Sequence, residues 1–385
     1  MRSISLWAAV SLIALGMGHS GWAADDAPKT TDVVQTQAMD ASDASDTIWT
    51  AFIDSYYGYN FNKPPRKIVG TNPQSENRYR VFDTKEDSLT LSLLQVDLTQ
   101  KAKPLGFRAV LDLGETAKAV NFAEPQSSKF WKHMEQLYLT YDFNGGAGTN
   151  TLDFGKFVTN AGAEVIESPA NWNYTRGILF GWAIPFYHAG FRFTHHMNDS
   201  RWVSASLING WNDVRDNNSK RAIGLSYNTP IGSSNLLVNY YGGDEPTSVS
   251  TEEMRNLLDV VWSLSPRDSK WSYMVNVDYA KQNNATVGND ATWYGVAGYA
   301  KYVISDTTNW AARVETFRDK DGFATGVDQT LGSGTLTFDY HPGQKWIHRV
   351  ELRHDWSNKD VFDDQNGLPT KSGLSTVTVG SVYKF

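Results

Sequence analysis

The 385-residue sequence contains no cysteine. That excludes a disulfide framework, cysteine-based zinc and iron–sulfur sites, thiol catalysis and a lipid-anchored N-terminal cysteine. It also lacks long apolar runs, and its mean hydropathy is −0.43. A bundle of membrane helices needs about 20 mostly apolar residues per span, so that class is set aside. Positive charge is in deficit: 35 Lys and Arg against 42 Asp and Glu leave a formal net charge of −7. A nucleic-acid partner needs a basic footprint, so none is expected.

Aromatic residues, by contrast, are abundant. With 14 Trp, 18 Tyr and 18 Phe they make up 13% of the chain. A barrel that marks two membrane interfaces uses such a supply. The length suits two ordinary domains or one large all-β barrel.

The N-terminus sets the compartment. Arg2 supplies a positive start, Leu6 to Leu15 a short apolar stretch, and Gly21-Trp22-Ala23 the small residues a signal peptidase reads. Residues 1–23 read as a secretory signal peptide, cleaved after Ala23. Residues 24–46 are rich in Asp, Ala, Ser and Thr and hold no aromatic. They read as a flexible periplasmic leader, and 47–385 as the barrel.

From Ile48 onward the hydrophobic period is two. Trp271, Tyr273, Val275, Val277 and Tyr279 alternate with Ser272, Met274, Asn276, Asp278 and Ala280. In a membrane barrel the apolar face meets lipid and the polar face lines water. Leu105 to Leu113, Tyr187 to Phe193 and Trp346 to Trp356 repeat the pattern. The last opposes its apolar residues with Arg349, Glu351, Arg353 and Asp355.

About 16 such segments start near residues 48, 87, 105, 134, 150, 185, 201, 220, 235, 254, 270, 291, 308, 328, 345 and 373. Every second connection between them is tight, and most of the others are long. Outer-membrane barrels have short periplasmic turns and long external loops. The fold class is therefore an all-β, transmembrane antiparallel β-barrel of about 16 strands, with its N-terminus periplasmic, in the outer membrane of a Gram-negative bacterium. An even count permits closure, which removes edges that lipid cannot satisfy. Phe385, Tyr383, Val379 and Val377 share one face of the last strand, the pattern read by the barrel assembly machinery. Outer-membrane lipids and lipopolysaccharide are the expected surroundings.

A barrel of this size leaves an aqueous channel unless something fills it. The third long connection, Thr159–Ile184, carries Ile166, Trp172, Tyr174, Ile178, Leu179, Phe180 and Trp182. A loop waving in water has no use for so many apolar groups. It is expected to fold into the lumen, as the third loop does in trimeric general porins. Glu164, Glu167 and Arg176 would then face Arg108, Arg192, Arg313, Arg349 and Arg353, with Glu315 and Glu351 on the same wall. Charged rings set ion preference; the same residues also suit salt bridges that brace the wall.

Leu152–His195 carries a DFGKF strand, a Gly-x-Glu step, the run Asn171-Trp172-Asn173-Tyr174-Thr175-Arg176 and then PFYH-x-G-x-R. With Asp54–Phe61 (DSYYGYNF), Arg80-Val81-Phe82-Asp83 and Asn209-Gly210-Trp211-Asn212, this resembles the OmpL-like β-barrel porin family, porin-2. The resemblance covers essentially the whole mature barrel and implies a porin-like channel without implying its solute. One departure is Asn160-Ala161-Gly162, where the family usually has Pro-x-Gly.

No Gly-x-Ser-x-Gly elbow or nucleotide-binding loop is present, and His195-His196 point to opposite faces of a strand. No enzymatic activity, cofactor or metal is expected. Two functions remain: a passive channel for ions and small polar solutes, and a non-transport barrel, either adhesin/structural or a rim-site enzyme. A homotrimer is compatible with both.

Overall fold

The computed structural model describes residues 47–65, 68–69, 72–73, 76–125, 127–250 and 252–385. The expected signal peptide and leader lie outside the described residues. Sixteen strands form the barrel: β1 (Thr47–Asn60), β2 (Ser88–Gln100), β3 (Leu105–Leu113), β4 (Met134–Asp142), β5 (Asn150–Val158), β6 (Tyr187–His196), β7 (Trp202–Ile208), β8 (Ala222–Ile231), β9 (Ser234–Glu245), β10 (Glu253–Leu264), β11 (Trp271–Thr286), β12 (Asn289–Ser305), β13 (Thr308–Asp319), β14 (Gln329–Tyr340), β15 (Trp346–Ser357) and β16 (Gly373–Lys384). Each pairs antiparallel with its sequence neighbour, and β1 closes the barrel on β16 through Phe52↔Lys384 to Asn60↔Thr376. Every strand begins within two residues of the start read from alternation.

The agreement has a simple cause. Closure leaves each strand one outward and one interior face, so side chains alternate between environments. On β11, Trp271, Tyr273, Val275, Val277 and Tyr279 are exposed, whereas Met274, Asn276, Asp278 and Ala280 are buried. Trp271 and Tyr279 stand eight positions apart, about 26 Å along the strand at ~3.3 Å per residue. That is close to the ~25 Å band an outer-membrane barrel shows to lipid. Trp310 and Trp346 join Trp271 at the end with tight turns, and Tyr294 and Trp356 join Tyr279 at the other.

One connection breaks the alternation of lengths. β11 and β12 run to 16 and 17 residues and join through Val287-Gly288 alone. Gly288 has a positive φ of 71°, which a tight hairpin turn requires. The register of the Trp293–Val303 strand, ambiguous in sequence, is clear: Trp293, Ala297 and Tyr299 face inward, Tyr294 and Val296 outward.

Lys156 shares its strand face with Leu152 and Phe154, which suggests a snorkelling residue or a bulge. It is neither. The segment after β3, with the short helix α1 (Glu115–Val120), covers it. Its Nζ donates to Asn121 Oδ1 at 2.5 Å and Met134 O at 2.8 Å, 3.8 Å above the Tyr187 ring.

The two glycines of the family-like motifs, Gly155 in DFGKF and Gly190 in PFYH-x-G-x-R, face each other across β5 and β6. Both have positive φ, 141° and 152°. A Cβ on Gly155 would stand 2.2 Å from Leu137 O, and one on Gly190 2.2 Å from Leu207 O. Neighbouring backbone occupies the space a side chain needs.

Candidate functional site

The connection from β5 to β6, residues 159–186, holds the short helix α2 (Ile178–Trp182). Its Ile166, Ile178, Leu179, Phe180, Ile184 and Phe186 are buried in one apolar cluster with Phe82, Trp293, Phe317 and Leu331. Each such side chain contributes about 1.5–3 kcal/mol when fully removed from water. This is why an irregular segment holds a defined position.

Its backbone polar groups need partners once buried, and interior side chains supply them. At the root, Gly162 N donates to Asp259 Oδ1 at 3.0 Å and Ala163 N to Asn276 Oδ1 at 3.1 Å. Asn239 Nδ2 donates to Asn160 O at 2.9 Å, and Asn160 N donates to the Tyr241 hydroxyl at 3.1 Å. The departure from Pro-x-Gly thus keeps the essential element, Gly162 at φ 97°.

Further along, Glu351 accepts from Tyr174 N at 2.7 Å, Thr175 N at 3.2 Å and Thr337 Oγ1 at 2.7 Å. Arg349 donates to Ser168 O at 2.5 Å and Asn171 O at 2.8 Å, and Arg353 to Arg176 O at 2.8 Å. Across on β1, Asp54 accepts from Ser168 Oγ at 2.7 Å and Tyr174 Oη at 2.8 Å.

Charges meet at Arg313. Its Nη1 lies 2.6 Å from Glu164 Oε1 and its Nε 3.1 Å from Glu315 Oε1. Glu164 also accepts from Gly177 N at 2.6 Å, and Glu315 from Leu179 N at 3.1 Å. Burial raises the Glu164 carboxyl above the usual carboxylate range, and Arg313 pulls it back. A Cβ on Gly177 would meet Glu315 Oε2 at 2.7 Å and Glu164 Oε2 at 2.8 Å. Glycine is what lets the two carboxylates close over this turn.

The expected site residues therefore divide. Glu164, Arg313, Glu315, Arg349, Glu351 and Arg353 come together around the connection. Arg176 joins them without a carboxylate partner: it donates to Ile166 O and Tyr174 O and lies 4.4 Å above the Phe82 ring. Glu167 reaches another wall, where Gln95 Nε2 lies 3.4 Å from its Oε1 and 3.4 Å from Glu135 Oε2. Arg108 and Arg192 stay apart, paired with Asp97 at 2.7 Å and Asp153 at 2.9 Å. An acidic loop opposite a basic wall is thus too simple a picture: most of these arginines are already matched by carboxylates.

Several participants were not among the expected site residues. Asp339 faces Arg349 directly across β14 and β15 and pairs with it at 2.5 Å. Asp355 binds Arg353 at 2.7 Å and Arg80 at 2.8 Å. Arg80 and Phe82 belong to the Arg-Val-Phe-Asp run, so that motif's chemistry was visible but its contacts were not. Asp54 sits in the DSYYGYNF motif. Among the described residues, no group of three or more His, Cys, Asp or Glu is arranged to hold a metal ion.

A family model described as "Putative beta-barrel porin-2, OmpL-like" matches residues 47–385. A search of curated proteins finds no significant match. Among solved structures, an anion-selective porin from Comamonas acidovorans shares 11% identity over 88% of this chain and 99% of its own, at a TM-score of 0.58. The outer membrane channel DcaP of Acinetobacter baumannii shares 12% over 88% and 97%, at 0.58. The trimer form of OmpT from Vibrio cholerae shares 12% over 88% and 99%, at 0.56.

Proposed function

This chain belongs to the OmpL-like β-barrel porin-2 family, a porin-like channel of the Gram-negative outer membrane, and we propose that it passes ions and small polar solutes by passive diffusion through a lumen narrowed by residues 159–186. The observation that carries this reading is the set of hydrogen bonds from that segment to interior side chains on β1, β10, β11 and β15. A segment fastened to strands so widely spaced around a closed barrel crosses its interior. Glu164, Glu167, Arg176, Arg313, Glu315, Arg349, Glu351 and Arg353 then shape the constriction, with Arg108 and Arg192 on the remaining wall. Charged interior groups act strongly on a passing ion because the surrounding dielectric is low.

The alternation of tight and long connections supports a periplasmic N-terminus, and the trimeric OmpT structure supports a homotrimer. A second reading has its own observation. Arg313, Glu351 and Asp259 are all withdrawn from solvent beneath the segment, which favours a barrel with its interior shut and its function in the external loops.

The experiment is single-channel recording of the mature chain in a planar bilayer, with folding verified by heat-shift on a gel. Steps of nanosiemens order, enlarged when residues 164–181 are replaced by a short Gly-Ser linker, support the channel. Folded protein that carries no current in either form supports the closed barrel.

A further inference from the structure

Most interior arginines are balanced; Arg176, bonded only to carbonyls, has no carboxylate partner among the described residues. Arg108, Arg192, Arg349 and Arg353 each pair with an aspartate at 2.5–2.9 Å, and Arg313 takes both Glu164 and Glu315. Among the described residues several buried carboxylates, Asp54 and Glu351 included, form no such ion pair, and four of them lie in two carboxyl–carboxyl contacts. Asp259 and Asp278 face each other in direct register on β10 and β11, and their carboxyl groups are within hydrogen-bonding reach. Asp112 on β3 and Glu135 on β4 also bring their carboxyls within hydrogen-bonding reach, although not in register: Glu135 sits at the shift where Val110 pairs with Gln136 and Leu111 with Met134. Asp278 is 1% and Asp112 0% exposed; beside the neighbouring carboxyl each has a side-chain amide close by, Asn276 and Gln95, and no well-aligned N–H or O–H hydrogen bond reaches their oxygens.

Nearby cations are engaged elsewhere. Lys156 acts on Asp112 and Glu135 only at longer range, since its ammonium is bonded to Asn121 and Met134. Arg108 belongs to Asp97. Lys301 and Lys384 form no ion pair among the described residues, but both lie beside Arg349, toward the end with tight turns.

A buried pair of carboxyls in contact holds one proton or one cation between them. Even with one shared proton, each pair keeps one negative charge. Both border the inward segment: Asp259 accepts from Gly162 N, and Glu135 shares Gln95 with Glu167. Carboxylate oxygens suit hard cations, and two carboxyls, one of each pair already accepting from N–H donors, are too few to retain a metal permanently.

We propose that this channel passes cations in preference to anions, drawn by the carboxyl pairs Asp259–Asp278 and Asp112–Glu135 that flank Gly162–Glu167. This rests on the channel reading above.

The test is the reversal potential of the full mature chain in a planar bilayer across a KCl gradient. The native protein is expected to reverse on the cation side. Asp112→Asn with Asp278→Asn shifts the reversal toward zero, as does Glu135→Gln alone, whereas Lys301→Gln with Lys384→Gln does not. Reversal on the anion side, or an unchanged potential in the carboxyl variants, overturns the proposal. A current-free measurement separates it from the channel reading. In detergent, CaCl2 raises the unfolding temperature of the native barrel above its value in choline chloride of equal ionic strength, and the Asp112/Asp278 double variant loses that shift. Absence of the calcium shift overturns the cation proposal. The shift without any current overturns the channel reading and leaves cation binding standing.

Discussion

Arg313 on β13 and Glu164 in the β5–β6 connection form an ion pair of 2.6 Å with both side chains withdrawn from solvent, across 149 positions of sequence. Glu315 shares the guanidinium, so one cation offsets two carboxylates. Arg313→Met removes the cation and leaves Glu164 and Glu315 facing each other. Breaking a buried pair in this way costs about 3–5 kcal/mol. The expected outcome is a lower urea midpoint in detergent and a noisier, larger bilayer current. A current and midpoint equal to those of the native chain would show that the pair does not fasten the segment.

Asp54 is the fastening on the opposite wall, accepting from Ser168 and Tyr174. Asp54→Ala leaves both hydroxyls without this partner, a loss of about 1–3 kcal/mol. Single-channel current should show more frequent switching between levels. Tyr174→Phe removes one of the two bonds and should give a smaller effect in the same direction.

Gly155 and Gly190 make a different kind of prediction, because backbone rather than side chain fills the space around them. Gly155→Ala forces β4 and β5 apart near Leu137, and φ of 141° strains any residue with a Cβ. Each substitution should cost more than the ~1 kcal/mol typical of a point mutation. Folding yield into detergent is the measurement. Gly145→Ala, on a tight turn where a Cβ meets nothing within 4 Å, tests whether positive φ alone (68°) accounts for the loss.

Asp213, in the connection after β7, gives a pH dependence. Burial and the neighbouring Glu124 push its carboxyl up to about 6 from 3.8, with Arg255 opposing. The folded state therefore holds this proton more tightly than the unfolded chain. The stability it contributes is present below 3.8 and is lost as pH rises through about 6. Asp213→Asn should make the unfolding temperature of the detergent-folded barrel less sensitive to pH between about 4 and 8. An identical pH profile in the two proteins would remove Asp213 as the cause.

The barrel was legible because lipid and closure impose a rule on each strand separately. Trp271, Tyr273 and Val275 face outward whatever the other strands do, so their alternation with Ser272, Met274 and Asn276 can be read in isolation. The apolar residues of 159–186 were legible for a related reason: burial is demanded by Ile178, Leu179 and Phe180 themselves. Lys156 escaped this reading because a segment far from its strand, residues 114–133, covers it. Partner choice escaped it too. Nothing local to Arg349 distinguishes Asp339 across the sheet from any other carboxylate until the register sets them opposite each other.

The sequence by itself determined a barrel of about 16 strands, the outward face of most of them, the family-like motifs and the segment that must be buried. These depend on residue type and near-neighbour spacing, which a linear chain carries in full. Only the tertiary structure decided which charges cancel. Arg313 meets Glu164, Arg80 meets Asp355, and Asp278 meets Asp259 rather than a cation. Electrostatic energy depends on distance and on the dielectric around each pair, and both are set only when the barrel closes and the connections pack against its wall.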